Sequence, residues 1–286
     1  MKVESVYSLY SKAVGVFVKK AITGTLFVLF ALCNQLIGAE MNEKHEAVTI
    51  EWYGHSCFLL TLENGAKILL DPFDTTRFPY SLPAGKVDVV FSTHDHFDHN
   101  AVDAVPARVI LRADGKKPFF FGKKVGVEEE ADGRIRVNLY GKILIATILP
   151  SFHDDRGGSQ RGLNGIIRFE VEGLIFVHLG DLGESLNPDQ IEKIKPIDVL
   201  FVPVGGFYTI NDSTAYEVVQ SLSPRIAIPM HYRTKALGDR LPINTVDPFL
   251  GRFSNIKREN TSTISVQSGH LPALTTVEVL DYHGQK

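Results

Sequence analysis

The chain has 286 residues, 44% of them hydrophobic, which suits one ordinary globular domain with a sizeable core. It carries 30 basic and 33 acidic residues, and that balance excludes a general nucleic-acid binder, which needs a basic face or stripe. Of the two cysteines, Cys33 falls in an N-terminal apolar run and Cys57 stands alone after it, so no disulfide is expected within the remaining chain.

The first 39 residues differ from the rest. Lys19 and Lys20 precede the apolar run "AITGTLFVLFALC", and the small residue Ala39 follows, which is the pattern of a secretory signal peptide. Asn34 and Gln35 interrupt the run before it reaches the roughly 20 residues of a membrane span. The expectation is a signal peptide over residues 1–39 and one folded domain over 40–286, exported to a periplasm or secreted. An uncleaved membrane anchor is the alternative, and a start near Met41 is a third. Membrane contact is expected through this segment alone. Without it the chain has a net charge of −6.

From Ala47 short strands come first: "VTIEWYG", "CFLLTL" and "AKILLD", separated by Gly-His and Asn-Gly turn signals. "VDVVFS" is a continuous apolar run and predicts a strand buried on both faces. "RVILR", "RIRVNLY" and "KILIATIL" are further strands, and "GIIRFEVEG" with "LIFVHLGD" reads as a hairpin through Glu172-Gly173. Then helix and strand alternate. "NPDQIEKIK" places Asn187 as N-cap and Pro188 at the first helical position. "IDVLFVPVGG" and "RIAIPMHY" are strands flanking the helix "DSTAYEVVQSL", capped by Asp212 and ended before Pro224. "TISVQSG" and "TVEVLD" complete the set. Strands grouped early and a βαβα pattern later predict two facing sheets with helices outside.

The chemistry concentrates in "FSTHDHFDHN", where three histidines and two aspartates fall within residues 94–99. The cluster follows a buried strand directly, and α/β folds open crevices at such carboxyl ends. Imidazole and carboxylate suit Zn²⁺ and similar divalent ions. His94 and His96 are two apart and can reach one ion from an extended turn. Asp98 and His99 can reach a second.

His94-x-His96-x-Asp98-His99 resembles the motif of the metallo-β-lactamase superfamily. The resemblance covers roughly residues 48–235, since His153, Asp181 and His231 follow in the superfamily's order, each after a strand. It implies an α/β fold, a four-layer αββα sandwich with metal at its edge. It implies that His94, His96 and His153 hold one divalent ion and Asp98, His99 and His231 a second, with Asp181 bridging. The implied cofactors are two divalent metals, zinc in the first place and manganese or iron otherwise. Asp98 and Asp181 take the catalytic roles of positioning the ions and the attacking water. The finer motifs "WYGHSCF", "LLDPF", "GDLG", "PVGGFYTI" and "PMHY" resemble the ascorbate-6-phosphate lactonase-like group. The expected activity is metal-dependent hydrolysis of an ester, lactone or phosphoester in a small molecule. A non-catalytic metal-binding or substrate-binding protein and a β-lactam hydrolase are the alternatives.

Other residues are weighed beside this set. His55 in "YGHSCF" reads as a turn histidine or a support for the ligands. Asp71, at a strand end, reads as an orienter of a ligand histidine or as a turn aspartate. His178 reads as a packed or supporting side chain. Asp154 and Asp155 read as solvated loop residues. Arg156, Arg161 and Arg233 lie near His153 or His231 in sequence. Arg161 and Arg233 are the candidates to bind a phosphate or carboxylate of the substrate.

Overall fold

A computed structural model of the chain describes residues 46–113, 118–121 and 126–285. The signal peptide or anchor expected over residues 1–39 lies outside the described residues.

Alternation of side chains builds the first sheet. In β1 (Ala47–Gly54), β2 (Cys57–Leu62) and β3 (Lys67–Leu70), the residues Val48, Ile50, Trp52, Phe58, Leu60, Ile68 and Leu70 belong to the main core. Their neighbours Tyr53, Cys57, Leu59 and Leu69 belong to a smaller core with Phe73, Phe78 and Tyr80. β4 (Val87–Ser92) is buried along its whole length, as its unbroken apolar run predicts. β5 (Ala107–Ala113), β6 (Pro118–Phe121) and the late β15 (Thr263–Gln267) complete the order β15-β1-β2-β3-β4-β5-β6.

The second sheet holds β7 (Val127–Glu129), β8 (Ile135–Leu139), β9 (Lys142–Phe152), β10 (Leu163–Val171), β11 (Leu174–His178), β12 (Val199–Pro203), β13 (Ile226–Met230), β14 (Ile256–Arg258) and β16 (Thr276–Val279). Its order is β14-β16-β13-β12-β11-β10-β9-β8-β7. The predicted hairpin joins β10 to β11, and Glu172 and Gly173 both take positive φ, as a two-residue hairpin turn requires. Aromatic rings tie the two sheets together: Phe58 meets Phe201 with ring centroids 4.4 Å apart, and Phe91 meets Phe169 at 5.6 Å.

The described helices all follow β11. α1 (Pro188–Ile194) has the expected Asn187 cap, and Gln190 returns a bond to the Asn187 backbone to close a capping box. α2 (Asp212–Leu222) packs against β12 and buries Ala215, Val218, Val219 and Leu222. Its cap is Asn211 rather than Asp212. Asn211 has the extended backbone of a cap and accepts from the Thr214 N–H, whereas Asp212 is the first helical residue and pairs with Arg252 at 2.6 Å. α3 (Asp247–Leu250) is a single turn. The outer face of the first sheet is covered mainly by irregular chain, which supplies Phe73, Phe78, Tyr80, Val102 and Leu237.

Topology puts the chemistry at one edge. β3 and β4 are parallel, and β1 runs the same way because both it and β3 are antiparallel to β2. β11, β12 and β13 are parallel, and β9 shares their direction because both it and β11 are antiparallel to β10. The segments that leave the carboxyl ends of β1, β3, β4, β9, β11 and β13 carry His55, Asp71, His94–His99, His153, Asp181 and His231.

Candidate metal centre and active site

Side chains far apart in sequence meet at this edge. His94, His96 and His153 offer ring nitrogens within 4.8 Å of one another. His55, His99 and His231, by ring nitrogens, and Asp98, by a carboxylate oxygen, form a second group of the same span. Asp181 links the two. Its Oδ2 lies 3.2 Å from His153 Nε2 and 3.1 Å from His231 Nε2, and its Oδ1 lies 3.1 Å from His99 Nε2. All seven expected ligand positions are therefore brought together.

The ring orientations follow from a chain of hydrogen bonds. Asp71 is fully buried and accepts the Thr93 N–H at 2.8 Å, the Thr93 hydroxyl at 2.7 Å and His99 Nδ1 at 2.7 Å. With its proton given to Asp71, the Thr93 oxygen accepts from His94 Nδ1 at 3.0 Å. Both imidazoles thus carry their protons on Nδ1, and their Nε2 lone pairs are left for the centre. His94 Nε2, His99 Nε2 and Asp181 Oδ1 are buried without a hydrogen-bond partner.

That donor set fits divalent metal. Buried polar atoms normally find partners, and three buried atoms without one, facing a common point, are what a bound cation satisfies. The protonation states of His94 and Asp181 agree. Burial, together with His99, pushes the His94 imidazole well below its usual pKa, so it is the neutral, ligating form. Burial would raise the Asp181 carboxyl, but His231 and His99 outweigh it and hold the carboxylate ionised. Burial would lower His99, but Asp181, Asp71 and Asp98 outweigh it and push its pKa well up. Three carboxylates around one imidazole make a field that draws positive charge.

His55 stands closer to the centre than a turn residue needs to. It is 1% exposed at φ +52°, and its Nε2 lies 3.2 Å from Asp98 Oδ2. Its carbonyl accepts from the Trp52 indole and from the His231 backbone. Burial and the neighbouring His231 lower its pKa to about 4, against the pull of Asp98. His178 packs beneath the site: its Nδ1 accepts the Gly180 N–H at 3.1 Å and its Nε2 donates to the Ser56 carbonyl at 2.9 Å.

Asp154 is buried, not solvated. Its carboxylate accepts the backbone N–H groups of Arg156, Gly158, Gln160 and Arg161. Desolvation would raise it, but these four donors win and hold its pKa at about 2. The loop so organised presents Gln160 and Arg161 to a cavity of ≈ 320 Å³ that also touches His96, Asp98, His153 and Asp181. Arg161 donates to the Phe207 carbonyl at 3.0 Å and lies over the Tyr208 ring. Arg233, expected beside it, does not line this cavity. Its guanidinium turns to Asp239 at 3.0 Å.

Sequence reasoning missed Thr93, Asn164, Gln160, Phe97, Tyr208 and Leu241. Asn164 is buried between Ser151 and the Leu179 carbonyl and accepts the Asp181 N–H at 3.0 Å. The one signal available was adjacency, since Thr93 and Phe97 flank or interrupt the histidine cluster.

Known proteins share the sequence and the fold of this chain. The beta-lactamase superfamily domain matches residues 49–231. A UPF0173 metal-dependent hydrolase of Staphylothermus marinus is 32% identical over 201 residues, which cover 65% of this chain and 83% of that protein. A UPF0173 protein of Pyrococcus furiosus is 35% identical over 198 residues, covering 66% of this chain and 86% of that protein. Among solved structures, a metallo-β-lactamase superfamily protein of Thermotoga maritima is 33% identical with a TM-score of 0.61, covering 82% of this chain and 100% of that one. The matched span runs from the first strand to the last histidine of the centre, and the chain belongs to the metallo-β-lactamase superfamily, within its UPF0173 family of metal-dependent hydrolases.

Proposed function

We propose that this protein is a dinuclear hydrolase that cleaves an ester, lactone or phosphoester bond in a small anionic molecule. The observation that carries the reading is the pair of ligand groups joined through the buried Asp181 carboxylate, with the Nε2 atoms of His94 and His99 left unpartnered. In this reading His94, His96 and His153 hold one ion, Asp98, His99 and His231 the other, and Asp181 both. Two divalent ions, zinc first and manganese or iron as alternatives, would supply a nucleophile at neutral pH and polarise the bond to be cleaved. Asp71 and Thr93 fix the imidazole tautomers. Arg161 receives the anionic group: it sits on a rigid loop and has no carboxylate partner among the described residues, whereas Arg233 is neutralised by Asp239. The motifs shared with the ascorbate-6-phosphate lactonase-like group support an anionic substrate, and the leader-like residues 1–39 support a site of action outside the cytoplasm.

The test is elemental analysis of metal-supplemented protein, paired with hydrolysis of matched anionic and neutral esters. The expected result is about two ions per chain. Arg161→Ala should raise KM for the anionic ester at least about tenfold more than for the neutral one. Absence of bound metal, or an equal effect of Arg161→Ala on both esters, would refute the corresponding half of the reading.

A further inference from the structure

The cavity beside the metal centre is only partly polar. Apart from the residues of the centre, Gln160 and Arg161, it is lined by Phe97, Tyr208 and Leu241. Two aromatic rings here are left in solvent: Phe97, in the lining, is 37% exposed, and Phe207, outside the lining but with its ring edge-on to Tyr208 at 4.7 Å, is 62% exposed. Single exposed apolar side chains are common and mean little. These two are different because both are held in place. The Arg77 guanidinium lies 3.4 Å over the Phe97 ring, and Phe78 packs beside it. Phe207 follows Gly206, and both residues have positive φ, +61° at Phe207. A bulky residue is strained there. The Phe207 carbonyl is clamped by Arg161, the cation of the cavity itself. Phe207 thereby buttresses two residues of the lining, Arg161 through its carbonyl and Tyr208 through its ring.

We infer that the substrate of this centre joins its anionic group to an apolar, ring-sized body, and that Phe97, Tyr208 and Leu241 grip that body while Arg161 holds the anion. The inference rests on the hydrolase reading above and narrows it. A volume of ≈ 320 Å³ is at the lower end for small-molecule sites, which leaves room for one ring and its charged group and not for a polymer. A hydroxyl-rich body, such as a sugar acid, would lose water from its hydroxyls against Phe97 and Leu241 without finding partners there. The walls therefore select against a polar body even though Arg161 selects for an anion.

Three phosphonates that share one anionic head test this by calorimetry on the zinc-loaded full chain: methylphosphonate, phenylphosphonate and 2,3-dihydroxypropylphosphonate. Phenylphosphonate should bind about tenfold tighter than the other two. Phe97→Ala has no core to disturb, because its ring is exposed and belongs to neither core. It should weaken phenylphosphonate at least about fivefold more than methylphosphonate. Leu241→Ser should act in the same direction, and Arg161→Gln should weaken all three by a similar factor. Equal affinities, or tightest binding of the dihydroxypropyl compound, would overturn the apolar body and leave the anionic hydrolase standing. No binding of any phosphonate to protein that carries its metal would overturn both.

Discussion

Two oxygen atoms set the chemistry of the centre at the level of single residues. The Asp71 carboxylate fixes His99 directly and His94 through Thr93, so a change at Asp71 acts on two ligands at once. Asp71→Ala should weaken metal binding about 10–100-fold, and Thr93→Val should do so less severely because His99 keeps its partner. Titration with a metal-sensitive dye reads both, and unchanged affinity in Asp71→Ala would show that the imidazoles hold their orientation alone. His55 offers a sharper comparison. Its Nε2 meets Asp98, and its ring packs against His231, tilted by 44° with centroids 4.1 Å apart. On the two-ion proposal, His55→Phe keeps the ring contact and loses the bond, so it should lower the affinity of the second ion about tenfold and leave the first ion in place. His55→Gln, which can still donate to Asp98, should restore part of it. The residues that meet at the candidate centre were legible because strand-end histidines and aspartates are scarce and sit in a recognisable order. Thr93 was not, because its role exists only once β3 and β4 bring Asp71 beside it. Asp154 was misread for the same reason: four backbone donors that enclose a carboxylate leave no trace in composition.

Strands were legible where burial imposes a period. β1, β2 and β4 begin and end within a residue of their apolar patterns, and the turn at Glu172-Gly173 lies where expected. β7, β14 and α3 were missed because three or four residues carry no period, and neighbouring chain decides their conformation. Gly183 serves close approach of two segments. A Cβ there would strike the His153 and Asp154 backbone, and one at Gly205 would strike the His231 carbonyl. Gly183→Ala should therefore displace His153 and lower kcat/KM about a hundredfold, with metal content falling in parallel. Retained activity would show that the β9 end yields without moving its ligand. A separate prediction belongs to β16. Burial raises the pKa of Glu278, Lys257 opposes this and Glu259 adds to it, with His270 lining the same cleft. A carboxyl with a raised folded-state pKa contributes its stability below the unfolded pKa of about 4.3 and loses it as pH rises through the folded value. Glu278→Gln should accordingly melt higher than the natural protein near pH 8 and equally near pH 3.5, by ordinary thermal melts. A Tm difference that does not depend on pH would assign the effect to packing.

Across the whole molecule the centre is a joint between two sheets. His94, Asp98 and His99 follow β4 of the first sheet, while His153, Asp181 and His231 follow β9, β11 and β13 of the second. The interior faces are held by apolar contacts such as Phe58 with Phe201 and Phe91 with Phe169, but at this edge the contact is between buried imidazoles and carboxylates. Charged groups facing one another in a dry interface stabilise it only when their charges balance. A cation bound there adds stability to the folded chain alone, by RT ln(1 + [L]/Kd), or about 4 kcal/mol when free metal is a thousandfold above Kd. For a chain of this length that corresponds to a Tm change on the order of 10 °C. Removal of metal with a chelator, followed by dialysis, should lower Tm by about that amount, and added zinc should restore it. Asp98→Ala separates this from a general effect of the chelator. On the two-ion proposal it removes one ligand of the second ion and no core side chain, so it should fold, start from a lower Tm and lose less on chelation. Thermal melts with metal content measured on the same samples decide the matter. A Tm indifferent to metal that has demonstrably been removed would mean that the apolar faces alone hold the sheets together and that the centre serves chemistry only.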